Sequence, residues 1–116
     1  MIKGFFEDRF YLEMANFRPK STGLPMVVWI APESGREKHF ARIKVAKHYG
    51  DDLKSNDFFT ITVPKKERRG NPGDIRQEDI DKVGKWIDMN AEAIFDFWNK
   101  EIDSIEFGAR MKPYVE

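Results

Sequence analysis

A single apolar stripe with helical spacing runs through the last third of the chain and constrains the fold most strongly. Its members recur at steps of three and four residues, the spacing of a helix with one buried face. They are Ile80, Val83, Ile87, Ala91, Ile94, Trp98 and Ile102. Asp74 followed by Gln77 is typical of a helix N-terminus, and Gly84 on the apolar side would let the helix approach a sheet closely. The pattern predicts one helix over about residues 75–100.

The first 63 residues have a different period, in which apolar and polar side chains alternate or short apolar runs occur. Four segments have the alternation or the β-branched content of strands. They are residues 9–15, 26–31, 40–47 and 58–63. Strands followed by one long helix predict an α+β domain, with an antiparallel sheet of about four strands packed by one long C-terminal helix.

The length of 116 residues predicts a single domain over residues 1–116, because a chain of this size forms one core. A basic loop covers residues 64–73, and a turn with a short extended tail follows the helix to residue 116. The absence of cysteine excludes a disulfide scaffold, a thiolate zinc site and a Cys nucleophile. No apolar run approaches the roughly 20 residues of a transmembrane helix. Acidic residues from Glu7 onward also interrupt any signal-peptide core, so we expect a small soluble, cytoplasmic protein.

Charge is balanced over the whole chain, with 20 basic and 20 acidic residues, but it is unevenly distributed. Residues 1–76 contain 15 Lys or Arg against 10 Asp or Glu, whereas residues 77–116 contain 5 against 10. Such an asymmetry indicates either two interaction faces or two halves that pack against each other. The zero net charge argues against strong non-specific binding to nucleic acid, which needs a positive excess.

No catalytic or metal-binding constellation stands out. His39 and His48 lie at opposite ends of a predicted strand, about 30 Å apart if the strand is extended, so they are too distant to share a metal ion. His39 alone is a candidate general base for a small hydrolase or nuclease. Because no nucleophile elbow or phosphate-binding glycine loop is present, we predict a non-enzymatic protein without a cofactor or metal.

The densest charge in the chain lies in the predicted basic loop, where four of five consecutive residues are cationic. They are Lys65, Lys66, Arg68 and Arg69. With Arg42 and Lys44 on an adjoining face and Tyr11 or Phe58 exposed, these cations would bind phosphates while the aromatic rings stack on bases. Nucleic-acid binding is therefore one hypothesis. A solvated loop, or a partner for the acidic face of the helix, is the alternative.

The predicted helix is apolar over about half of its circumference, which is more than packing on one sheet requires. Trp86 and Phe97, with Asn90 between them, widen the stripe on one side, and Phe95 widens it on the other. A curved sheet could wrap around this arc. Our leading hypothesis is instead a protein–protein interaction module, in which Trp86, Asn90 and Phe97 form an exposed strip that binds another protein or a second copy.

Two segments resemble the DUF4160 family of small bacterial proteins of unknown function. Residues 39–42, with the sequence His-Phe-Ala-Arg, are similar to that family's strand motif. Val83, Trp86, Asn90 and Trp98 are similar in spacing to its C-terminal helix. The resemblance implies a small α+β fold and membership of a toxin–antitoxin-like gene pair, and it assigns no catalytic residue.

Overall fold

The computed structural model describes residues 15–30, 41–51 and 57–116, and within these ranges it contains one antiparallel sheet of five strands. The strands are β1 (Ala15–Phe17), β2 (Val28–Ile30), β3 (Ala41–Ala46), β4 (Phe58–Val63) and β5 (Arg68–Arg69). Each strand pairs with the next one along the chain. The helices are α1 (Pro19–Thr22), α2 (Gln77–Trp98) and α3 (Ser104–Arg110). The predicted α+β architecture is confirmed, with one strand more than expected.

The strands agree with the alternation where both can be compared. β4 covers the predicted residues 58–63, and β3 begins and ends one residue inside the predicted residues 40–47. β2 covers Val28–Ile30 of the apolar run at residues 26–31, and the last residue of that run lies outside the described residues. Residues 9–14 of the first predicted strand lie outside the described residues, and Ala15 begins β1.

The basic loop and the tail contain two elements that the sequence patterns did not predict. β5 forms where the loop turns back on β4: Lys66 adopts a left-handed φ of 62° and its amide donates to the Thr62 carbonyl at 2.8 Å. α3 replaces the turn predicted after the long helix, and residues 111–116 beyond it contain neither helix nor strand. The start of α3 is fixed by a capping box in which Asp103 accepts from the Glu106 amide at 2.8 Å and Glu106 accepts from the Asp103 amide at 3.1 Å.

Helix α2 begins and ends within the predicted range, at Gln77 and Trp98, but not with the predicted cap. Arg76 is its N-cap and makes no side-chain capping bond. The Asp74 carboxylate instead lies 3.0 Å from Nδ1 of His48. The apolar stripe of α2 faces the core as predicted. Its buried members are Ile80, Val83, Ile87, Ile94 and Trp98.

A hydrogen-bonded network ties the first turn of α2 to the segment that follows β3. The Tyr49 hydroxyl donates to the Asp79 carboxylate at 2.6 Å and accepts from the Arg76 amide at 3.0 Å. The hydrogen bond from Tyr49 lowers the pKa of Asp79 from its ordinary value of 3.8, and burial of the carboxyl opposes this shift. Lys82, whose ammonium lies 3.4 Å from the carboxylate, lowers that pKa further.

We expect Tyr49→Phe to lower the free energy of unfolding by about 1 kcal/mol at neutral pH, because it removes a hydrogen bond to a carboxylate. A depressed pKa means that Asp79 stabilises the fold above its unfolded pKa, and that this contribution is lost as the pH falls through the folded pKa. The difference between wild type and variant should therefore shrink as the pH falls below 3.8. Urea unfolding at neutral pH and at an acidic pH below this value measures it.

Tyr114→Phe is the matched control, since the half-buried Tyr114 loses the same hydroxyl without a side-chain hydrogen bond among the described residues. We expect this control to unfold like the wild type at both pH values. A Tyr49→Phe variant that is destabilised equally at neutral and acidic pH would contradict the role assigned to Asp79.

Candidate functional site

The three side chains predicted to form an exposed partner-binding strip are all buried. Trp86 is 0 % exposed, Asn90 is 2 % exposed and Phe97 is 1 % exposed. The prediction that they present a surface is therefore wrong. Helix α3 covers this flank: the ring of its buried Phe107 lies 5.9 Å from the ring of Phe97 and 5.3 Å from that of Phe17.

Asn90 binds a segment of its own chain rather than a partner. Its Nδ2 donates to the Lys112 carbonyl at 3.0 Å and to the Trp86 carbonyl at 2.9 Å, and its Oδ1 accepts from the Lys112 amide at 2.7 Å. Two residues further on, the Tyr114 amide donates to the Thr22 carbonyl at 2.6 Å. The buried amide therefore holds the segment after α3 against α2.

Gly23, next to this contact, shows how closely the tail approaches. It has a φ of 80°, and a Cβ at this position would collide with the backbone carbonyl of Tyr114. Glycine meets both demands, because it tolerates a positive φ and leaves room for the passing chain. The tail is thus a packed part of the fold.

The four cations of the predicted basic loop point in different directions. Lys66 forms a 2.7 Å ion pair with Asp88 of α2. For this residue, the alternative prediction that the loop contacts the acidic face of the helix is confirmed. Arg68 donates to the Gly70 carbonyl at 2.7 Å, and Arg69 lies 3.6 Å from Glu67. Lys65 is exposed and has no ion pair with another described residue.

The two arginines of β5 lie on opposite faces of the sheet. Arg68 is opposite Ile61, a buried residue of the face that packs against α2. Arg69 is opposite Thr60, on the other face. Because successive side chains of a strand alternate, one hairpin presents a cation to each side of the sheet.

On the face away from α2, strand pairing brings one residue from each strand into a continuous line, which we call the outer row. It consists of Asn16, Trp29, Lys44, Thr60 and Arg69. Lys44 and Arg69 are its cations, and the row contains no carboxylate. No linear motif marks this row, because its members are distant in sequence and become neighbours only through the strand register.

An accessible aromatic ring lies beside the outer row. Phe58, two residues before Thr60 in β4 and on the same face, is 37 % exposed, and the Lys44 ammonium lies 4.8 Å from the centre of its ring. The Trp29 ring is only 8 % exposed, and its centre lies 5.9 Å from that of Phe58, so the two rings pack against each other. The Lys44 ammonium thus lies over a partly exposed aromatic ring, and a cation next to an accessible ring suits an anionic ligand with planar groups.

The histidines add no further site among the described residues. His39 lies outside them. The exposed His48 has Asp74 at 3.0 Å and Asp57 at 4.0 Å, but the described part of the chain contains no cluster of three or more residues suited to hold a metal ion. No helix in the described ranges has the length and apolar character needed to cross a membrane.

Comparison with known proteins gives no match: no family model fits the chain, and neither a curated protein nor a solved structure is similar to it. The resemblance to the DUF4160 family, and the toxin–antitoxin-like pair that it implies, therefore stay predictions. Any assignment of function rests on the geometry of the chain itself.

We expect Asn90→Ala to lower the free energy of unfolding by about 2 kcal/mol, because it removes three hydrogen bonds from a buried site. The amides of Lys112 and Tyr114 should also lose protection from hydrogen exchange. Met89→Ala is the control, since Met89 precedes Asn90 on α2 but is 40 % exposed and should tolerate truncation. Unchanged stability together with loss of self-association would favour the partner-binding prediction instead.

Proposed function

We propose that the protein binds single-stranded nucleic acid on the face of the sheet away from α2. The observation that carries this proposal is the outer row, in which Lys44 and Arg69 lie on the same face as the exposed ring of Phe58. Proteins that bind single strands combine cations that contact the backbone with aromatic rings on which bases stack.

Each component of the row has a distinct part in this proposal. Lys44 and Arg69 lie two strands apart, about 10 Å at ordinary strand spacing, so they contact different phosphates of one strand. Phe58 contacts the Lys44 ammonium and stacks on a base through the exposed part of its ring. Thr60, between the two cations, offers a hydroxyl that can donate to a phosphate or a base edge.

The charge distribution favours a modest and local interaction. The protein has no net charge, and α2, on the other side of the sheet, contains six of its 20 acidic residues. A strand that wrapped around the molecule would meet these carboxylates. Binding should therefore depend on base stacking as well as on phosphate contacts, with only a shallow dependence on salt.

The predicted basic loop contributes only in part to this surface. Arg69 belongs to the outer row, and the exposed Lys65 lies in the turn between β4 and β5. Lys66 is occupied by Asp88, and Arg68 lies on the opposite face. A protein partner or homodimer stays a prediction, and the buried residues assigned to it do not provide its surface.

Fluorescence anisotropy with a labelled oligothymidylate tests the proposal. We expect Phe58→Leu to weaken binding about tenfold, since stacking on an aromatic ring contributes about 1–3 kcal/mol per base. The double variant Lys44→Gln and Arg69→Gln should flatten the slope of log K against log salt by about 1.4, which corresponds to two phosphate contacts.

Lys112→Gln serves as the matched charge control, because this exposed residue lies on the tail that packs against α2. We expect it to bind like the wild type. Absence of binding by the wild type at low salt, or an equal loss in the Lys112→Gln variant, would refute a site at the outer row.

A further inference from the structure

A second surface lies on the opposite side of the same hairpin, where a groove of about 440 Å³ separates β4 and β5 from the first half of α2. This volume is within the range of small-molecule sites, about 300–1,000 Å³. The residues that line it combine an apolar floor with a charged rim. Ile61 and Ile80 form the floor, and Arg68, Asp81 and Lys85 are part of the rim.

Gly84 keeps the floor of this groove open. The sequence suggested that this glycine allows close contact between helix and sheet, but the nearest atom to an added Cβ would be Cδ of Lys66, at an ordinary contact distance of 3.5 Å. Alanine would therefore fit, and it would favour the helix more than glycine does. The packing does not require glycine at this position. The missing side chain instead leaves space in the groove next to the helix.

The charges around the groove are only partly satisfied by each other. Lys66 and Asp88 neutralise one another at 2.7 Å. Arg68 uses one guanidinium nitrogen on the Gly70 carbonyl, and Lys85 has no partner among the described residues. Arg68 extends from the sheet and Lys85 from the helix, so the groove has a cation with unused donors on each wall.

The carboxylate of Asp81 adds an acceptor to the same groove. One of its oxygens accepts from Nε2 of Gln77 at 2.9 Å, and the other has no partner among the described side chains. A purely anionic ligand would be repelled by this group. A ligand that also carries hydroxyl groups could donate to Asp81 while its anionic group contacts Arg68 and Lys85.

We propose that this groove binds a small phosphate ester that carries hydroxyl groups, with the phosphate between Arg68 and Lys85 and a hydroxyl donating to Asp81. Two cations on opposite walls match a dianionic phosphate, and the guanidinium fork of Arg68 suits its geometry. The apolar floor formed by Ile61 and Ile80 accommodates the organic part. A nucleotide and a sugar phosphate share this chemistry.

Isothermal titration with adenosine monophosphate, ribose 5-phosphate, inorganic phosphate and adenosine tests the proposal on the full chain. We expect one or both esters to bind at least tenfold more tightly than inorganic phosphate or adenosine. Tighter binding of the nucleotide would show that the base occupies the floor, and equal binding of both esters would show that the sugar phosphate suffices; both results support the site. Equal binding of inorganic phosphate, or no ester binding at millimolar concentration, would overturn it.

Substitutions in the groove distinguish binding of the ester at this site from a general electrostatic attraction between the ester and the protein. Arg68→Gln and Lys85→Gln should each weaken ester binding at least tenfold, whereas Lys112→Gln should not. Gly84→Ala should raise the Tm because it favours the helix, yet weaken ester binding because its methyl group narrows the groove. A Gly84→Ala variant that is stabilised and binds the ester normally would overturn the proposal.

The groove and the outer row share no side chain, so their tests are independent. Ester binding by a protein that fails to bind oligothymidylate would support the groove and refute only the nucleic-acid proposal. Oligothymidylate binding without ester binding would refute only the groove.

Discussion

Burial of the wide apolar flank of α2 is the constraint on which the rest of the structure depends. A helix that is apolar over about half of its circumference needs cover on more than one side, and the sheet supplies only one. Phe107 of α3 packs against Phe97, and the Asn90 side chain holds the backbone of the following segment in place. The residues after α2 therefore cover one side of the hydrophobic core.

The position of α2 also decides what the basic segment can do. Because the helix occupies one face of the sheet, alternation along β5 directs Arg68 toward the helix and Arg69 away from it. Lys66 closes an ion pair with Asp88, which joins the hairpin to the helix near the groove. One short cationic stretch thus contributes to two chemically different surfaces, one flat and aromatic and the other concave and mixed in charge.

Periodicity predicted the elements with many apolar residues and missed those without them. The stripe from Ile80 to Trp98 predicted the helix, and the β-branched residues at 58–63 predicted β4, both nearly to the residue. β5 consists of two arginines and has no apolar pattern to detect. The sequence indicates α3 only through the capping-box pair Asp103 and Glu106. The covering of Trp86 could not be inferred, because a single helix pattern does not tell which other segment will pack on it. The outer row arises from register across five strands, which no local signal encodes.

The bond between the Tyr114 amide and the Thr22 carbonyl joins segments separated by most of the chain. The Asn90 side chain bonds the backbone of Lys112, two residues before this contact. A chain shortened before Lys112 would therefore leave the amide group of Asn90 without these partners at a buried position, which is costly. The segment after α3 thus has a structural role that its sequence does not suggest.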